Sequence, residues 1–279
     1  MRIALTGSNG KLGTVVEREL RAAGHDVIAL DQVGPRRAGF TRIDLTDSGS
    51  VFDALTSIDG RHRGLDAVVH LGAIPAPGVE TDVATFRNNM LAAFNVIHGA
   101  RKAGIHRVVL ASSETVLGLP FDIAPPYVPV DEEYDTRPES VYSLGKHLEE
   151  ELARKVVRWD ADLSITALRF SNVMTPDDYP SFAAFQDDPA SRKWNLWGYI
   201  DARDAAQAVV LALDAGRPGF DRFIIAAADT VMERSSASLL EAFLPSVEVR
   251  GELGEHETLL GIAHAREVLG YEPKHSWRD

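Results

Sequence analysis

Eight residues near the start of the chain, Thr6-Gly7-Ser8-Asn9-Gly10-Lys11-Leu12-Gly13, restrict its fold more than any other stretch. They lie between Arg2–Thr6, an apolar run that reads as a buried strand, and Lys11–Ala23, which reads as an amphipathic helix. Gly7 permits a tight turn, Gly10 lets the backbone approach a pyrophosphate, and Gly13 allows the helix to pack closely on the strand. The first turn of that helix offers free N–H groups and the positive end of its dipole to a phosphate. A glycine-rich loop has this meaning only between a strand and a helix, which is where this one sits. Asp31 closes the next strand, where a carboxylate accepts bonds from an adenosine ribose and repels the extra phosphate of NADP. NAD is therefore the expected cofactor, with Arg36 and Arg37 read as a solvated loop pair.

The segments that follow keep alternating. Strands are expected at Asp26–Leu30, Thr41–Leu45, Ala67–Leu71, Arg107–Ala111 and Ser164–Phe170, and helices at Ser48–Ser57, Asp82–Ala103 and Tyr142–Trp159. This order predicts an α/β fold, a Rossmann-type doubly wound parallel sheet covered on both faces. After a proline-rich stretch from Pro120 to Pro138 and the last of these strands, the pattern loosens. A helix is expected at Asp201–Ala215, a strand at Arg222–Ala226 and a short helix at Ser235–Phe243. Residues 1–172 read as the NAD-binding domain. Residues 173–279 read as a small substrate-binding region interwoven with its sheet.

Tyr142 and Lys146 are four apart at the start of a helix, so they share a face. An ammonium beside a phenol stabilises the phenolate, and the tyrosine is expected to titrate closer to neutrality, as a general base for alcohol oxidation requires. Ser112 and Ser113 end the strand at Arg107–Ala111, at the carboxyl edge where such sheets bind ligands. A hydroxyl there orients a substrate oxygen.

This ordered set resembles the short-chain dehydrogenase/reductase superfamily, in particular its extended, NAD-dependent epimerase/dehydratase branch. Further segments share the resemblance: Asp44-Leu45, His70-Leu71-Gly72-Ala73, Asn89, Ala111–Gly118, Arg169-Phe170-Ser171-Asn172-Val173, Tyr199–Ala205 and Leu269–Pro273. The resemblance implies Tyr142 as acid/base, Ser113 as its partner, and Lys146 on the tyrosine and the nicotinamide ribose. It also implies cofactor contacts from Gly7 through Gly13, Asp31, Asp44, Leu45, Leu71, Gly72, Ala73, Asn89 and Phe170, and substrate contacts from Ser112, Ser113 and Asn172. A homodimer through Leu91, Phe94, Leu148 and Leu152 is implied as well. The stretch Arg192 to Trp197 resembles the substrate-side segment of hexuronate dehydrogenases, where an arginine holds the sugar carboxylate. Glu114 stands where those enzymes carry asparagine.

Composition narrows the partners. A formal charge of −12 argues against nucleic acid and anionic membranes, and the absence of cysteine removes disulfides and thiolate chemistry. No histidine spacing matches a metal site; His62, His98, His106 and His147 read as surface or capping residues. Asp131, Glu132, Glu133 and Asp135 read as a solvated loop, and Asp177, Asp178, Asp187 and Asp188 as an exposed segment. Trp194, Trp197 and Tyr199 read as either sugar-pocket or core aromatics. The start of the chain, a strand rather than a signal sequence, gives the expectation of a soluble cytoplasmic protein. The expected function is hydride transfer between NAD and a hydroxyl of a sugar or sugar acid. A nucleotide-sugar epimerase or dehydratase is the alternative, and a non-catalytic cofactor-binding regulator, which typically loses the tyrosine or lysine, is the third.

Overall fold

The computed structural model describes residues 1–57, 64–121 and 123–279; His62 lies outside them. The strands are β1 (Arg2–Thr6), β2 (Asp26–Asp31), β3 (Phe40–Arg42), β4 (Ala67–His70), β5 (Arg107–Ser113), β6 (Tyr127–Val128) and β7 (Ser164–Phe170). They continue with β8 (Val173–Met174), β9 (Ile200–Asp201), β10 (Gly219–Ile225) and β11 (Glu248–Val249). The helices are α1 (Lys11–Ala22), α2 (Ser48–Thr56), α3 (Asp82–Lys102) and α4 (Val141–Val156). After them come α5 (Phe182–Asp187), α6 (Ala202–Ala215), α7 (Ser236–Phe243) and α8 (Ala263–Leu269).

Seven strands form one parallel sheet in the order β10-β7-β5-β4-β1-β2-β3. The chain moves outward from β1 through β2 to β3, then returns to place β4 on the other side. A crevice opens at that reversal, above the carboxyl ends of β1 and β4. Alternation along each strand divides the core between the two faces. Ile3 and Leu5 of β1 pack with Val16, Leu20 and Val209 on the α1 and α6 side. Ala4 packs with Val51, Leu55, Val96 and Ile97 on the α2 and α3 side.

Several boundaries differ from expectation for local reasons. β3 stops at Arg42 rather than Leu45, because the Asp44 carboxylate accepts the Thr46 N–H at 2.9 Å and turns the chain. α4 begins at Val141 behind a reciprocal Ser140–Ser143 cap, and its last expected turn, Val157–Trp159, tightens into a 3₁₀ turn. The acidic loop is not wholly solvated: Glu132 is buried and accepts the Ile224 N–H at 2.6 Å. Trp197 and Tyr199 are fully buried core residues, which decides between their two readings. Residues beyond 172 supply β10 to the main sheet and α6 against α1.

The carboxyl ends of β5 and β7 are joined to α4 by buried charge. Arg169 of β7 donates from Nε and Nη2 to the Glu150 carboxylate at 2.9 and 2.7 Å, and Ser112 of β5 donates to Glu150 at 2.5 Å. Two parallel bonds to a planar guanidinium offset the desolvation of both ions only while both are present. Glu150→Ala leaves Arg169 uncompensated in the core. It should destabilise the protein by roughly 3–5 kcal/mol, read from urea denaturation. A loss within about 0.5 kcal/mol, the range of ordinary surface changes, would show that the pair does not hold α4.

Candidate active site

The turn after β1 is closed on glycine. Gly7 has φ +69°, and a Cβ there would lie 2.7 Å from the backbone of Leu71 and Gly72. A Cβ on Gly13 would meet the Gly7 carbonyl oxygen at 2.0 Å. Gly10 donates its N–H to Gly7 at 3.1 Å while remaining exposed at the head of α1. Ser8 is buried with an Oγ that has no partner. Leu12 packs partly buried against the core, and Lys11 reaches from the turn to Asp178 at 3.0 Å.

Asp31 faces this turn from the end of β2. Its carboxylate accepts N–H bonds from Asn9 at 2.9 Å and Val33 at 3.1 Å, which fixes its orientation at the crevice. Arg37 is not a free loop residue. Its guanidinium grips Glu17 at 2.9 and 2.7 Å and lies over the Phe40 ring. It also donates to Asn9 Oδ1 of the glycine turn at 3.4 Å.

The opposite wall comes from β4. Thr6 Oγ1 accepts the Gly72 N–H at 3.2 Å and bonds His70 Nδ1 at 2.7 Å. Burial, with Lys146 nearby, pushes the His70 imidazole down to about 3, so it is neutral and stays so. A Cβ on Gly72 would meet Leu45 at 2.6 Å, so Leu45 closes the slot beside Gly72, with Leu71 and Ala73 on either side in the chain. Asp44 is exposed and holds Thr46. Asn89 clamps the loop after β4: its amide accepts from Ile74 N–H at 2.8 Å and donates to Ile74 O at 3.0 Å.

Ser113, Tyr142 and Lys146 meet at the carboxyl end of β5. Strand register places Ser113 opposite Phe170 of β7, and the Ser140 cap positions Tyr142 in the first turn of α4. All three are buried. Thr115 donates to Ser113 Oγ from its N–H at 3.2 Å and its hydroxyl at 3.0 Å, and the Ser113 proton is left to stabilise the Tyr142 phenolate. Lys146 donates to the Ala111 carbonyl and to Glu149, both at 2.9 Å. Ser112 does not join them. One residue earlier on an alternating strand, it points to the other face and bonds Glu150, so its expected substrate contact is corrected.

The expected fall in the tyrosine pKa is corrected too. Burial raises the Tyr142 phenol above its usual value; Lys146 pulls it down, but Glu149 opposes that pull, and Glu114 adds to the rise. Sequence reasoning missed Glu149, although its position three residues after Lys146 puts it on the same helix face. Arg192 lies buried between the Phe185 and Trp194 rings, 5.0 Å from each, with Nη2 on Gly198 O at 3.0 Å. Its charge reaches Glu114. Asn172 directs its backbone N–H to the same carboxylate, and its carbonyl accepts from Ile200 at 3.0 Å.

Glycine turn, oriented Asp31 and the Gly72 wall make this a dinucleotide-binding protein. The model of the NAD dependent epimerase/dehydratase family matches residues 3–226, and the chain belongs to that family. It is 27% identical over 216 residues to a UDP-glucose 4-epimerase of Erwinia amylovora, covering 72% of this chain and 60% of that protein. The chain thus spans less than two thirds of that relative's length. A short-chain dehydrogenase/reductase superfamily protein from Agrobacterium tumefaciens with bound NAD superposes with a TM-score of 0.75 at 24% identity, covering 100% of this chain and 94% of that one. A mutated uronate dehydrogenase gives a TM-score of 0.71 at 23% identity, covering 99% and 82%. NAD is the cofactor of the family. The glycine cradle, the unpartnered Ser8 hydroxyl and the Asp31 carboxylate held beside the turn fit it.

Asp31→Ala should weaken NAD binding roughly ten- to hundredfold, the worth of a bond or two to a charged acceptor. NADP binding should not weaken with it, because the repelling carboxylate is gone. Fluorescence titration of both dinucleotides checks this; an unchanged NAD affinity would remove Asp31 from the ribose site.

Proposed function

We propose that the protein is an NAD-dependent oxidoreductase that moves hydride between the cofactor and a hydroxyl-bearing carbon of a sugar or sugar acid. The observation carrying this reading is the convergence of Ser113, Tyr142 and Lys146 beside the glycine turn and Gly72. NAD supplies the hydride acceptor when bound. Ser113 orients the substrate hydroxyl while Tyr142 takes its proton. Lys146, anchored on Ala111 and Glu149, is placed to support the phenolate and to bond the nicotinamide ribose. Phe170 covers the same edge, and Asn172 and Arg192 approach from the substrate side. The retained tyrosine and lysine speak against a non-catalytic regulator.

The UDP-glucose 4-epimerase relative favours a second reading, in which a nucleotide sugar is oxidised and reduced again on retained NAD. The two differ in a single assay. A dehydrogenase accumulates NADH with a free sugar or sugar acid, whereas an epimerase interconverts a nucleotide sugar without net NADH.

Tyr142→Phe should lower kcat roughly 10²–10⁴-fold, the usual worth of a positioned acid/base, and leave NAD affinity within a few fold. Because the phenol is raised in pKa, the wild-type oxidation rate should climb with pH through the neutral range. A Phe variant with most of its activity would exclude Tyr142 from proton transfer.

We further propose a homodimer. Leu91 and Phe94 of α3 are 42% and 43% exposed, and Leu144 of the adjoining α4 is 39% exposed. Leu148 and Leu152 lie half-buried on the same helix. A two-fold axis would bury this patch against its own copy. Phe94→Glu should convert the sedimentation profile from dimer to monomer; a wild-type monomer at micromolar concentration would refute the assembly.

A further inference from the structure

Glu114 immediately follows Ser113 and opens a 3₁₀ turn, yet it is only 2% exposed. Ser171 donates to its Oε2 at 2.6 Å, Asn195 to its Oε1 at 3.2 Å, and the Asn172 N–H is directed to the carboxylate. These donors are neutral. Arg192, from the same 3₁₀ turn as Asn195, is 6% exposed. It makes no ion pair among the described residues, and its buried Nε has no partner. The two charges act on each other without a bond. Glu114 also acts on the Tyr142 phenol. The guanidinium and the carboxylate are thus both buried, and each is incompletely compensated.

We propose that Glu114 selects the charge of the substrate. Ionised, it offsets Arg192, and the site takes an uncharged polyhydroxylated sugar. Protonated, it leaves Arg192 as an unopposed cation, and the site takes a sugar carboxylate; a sugar acid therefore enters together with one proton. This rests on reading the site as one for a sugar or sugar-acid hydroxyl.

The surrounding groups leave the titration to Glu114. Burial pushes its carboxyl up to about 7, against the lowering pull of Ser171, Asn195, Arg192 and Asn172. From α4, Tyr142 remains a neutral phenol in this range, and Lys146 with Glu149 form a pair of zero net charge. From β4, His70 stays neutral above about 3. Ordinary solvated glutamates have already ionised by this pH. By linkage, an anion beside Arg192 must raise the Glu114 pKa, because each favours the other's bound state.

The NAD-loaded enzyme is assayed with a hexose and the hexuronate of the same ring configuration between pH 6 and 8.5. The ratio of kcat/KM for the acid to that for the neutral sugar should fall about tenfold per pH unit above pH 7, as one linked proton requires. In Glu114→Gln, which keeps the shape but not the charge, the ratio should be flat and at pH 8 should favour the acid at least about tenfold more than in wild type. A pH-independent ratio in wild type, or an unchanged ratio in the Gln variant, overturns the proposal. Glutamate Cδ resonances of the NAD-loaded wild type provide a readout without turnover, the Glu114 signal being the one lost in the Gln variant. It should titrate near 7 and move upward by half a unit or more with saturating hexuronate. A midpoint near 4.5, or one that hexuronate does not move, overturns the role of Glu114. If that midpoint moves as expected but neither sugar is oxidised and a nucleotide sugar is epimerised, the dehydrogenase reading fails while the charge selection by Glu114 is retained.

Discussion

The buried triangle of Glu150, Arg169 and Ser112 ties together β5, β7 and α4, the elements that bear Ser113, Phe170, Tyr142 and Lys146. Arg169 precedes Phe170 on β7, Ser112 precedes Ser113 on β5, and Glu150 lies one helical turn beyond Lys146 on α4. Neighbouring strand residues point to opposite faces, so fixing Ser112 and Arg169 on one side directs Ser113 and Phe170 to the other. Helical spacing does the same for α4, where Tyr142, Lys146 and Glu150 follow one another at intervals of four. A carboxylate and a guanidinium removed from water tolerate little misalignment, because each lost bond exposes a desolvation penalty. That intolerance makes the triangle a stiff gauge for the position of the tyrosine.

Three consecutive outcomes for buried glutamate follow from what each one meets. Glu150 meets a two-pronged guanidinium. Glu149 meets the Lys146 ammonium, and burial nonetheless raises its pKa above the ordinary value. Glu114 meets only neutral donors and a guanidinium beyond bonding distance, so burial prevails and its proton is held into the neutral range. The three carboxyls differ in partner geometry rather than in chemistry. The same contest explains Tyr142, whose phenol gains less from Lys146 than the helix spacing alone implies, since Glu149 has neutralised much of that cation.

The surroundings of Glu114 are assembled from distant chain. Arg192, Asn195 and Gly198 belong to a compact segment held on the core by Trp197 and Tyr199. The end of the chain secures that segment in turn: Ser276 and Arg278 bond Asp229, and Asp229 accepts the Tyr199 hydroxyl at 2.7 Å.

The sequence by itself determined whatever rests on local rules. Three glycines at fixed spacing between a strand and a helix define a phosphate cradle, because only residues without a Cβ permit those approaches. Alternating apolar runs and amphipathic segments define a doubly wound parallel sheet. The Tyr142–Lys146 interval and the strand-end position of Ser113 place three groups at one edge. Tertiary structure alone decided which neighbours each group meets after water is removed. It turned Ser112 away, engaged Arg37 with Glu17, buried Glu132 and Trp197, and set Asn89 on Ile74. Desolvation and the electrostatic balance depend on atoms brought together from elements more than fifty residues apart, as Glu114 and Asn195 are. Periodicity along the chain carries no record of that proximity.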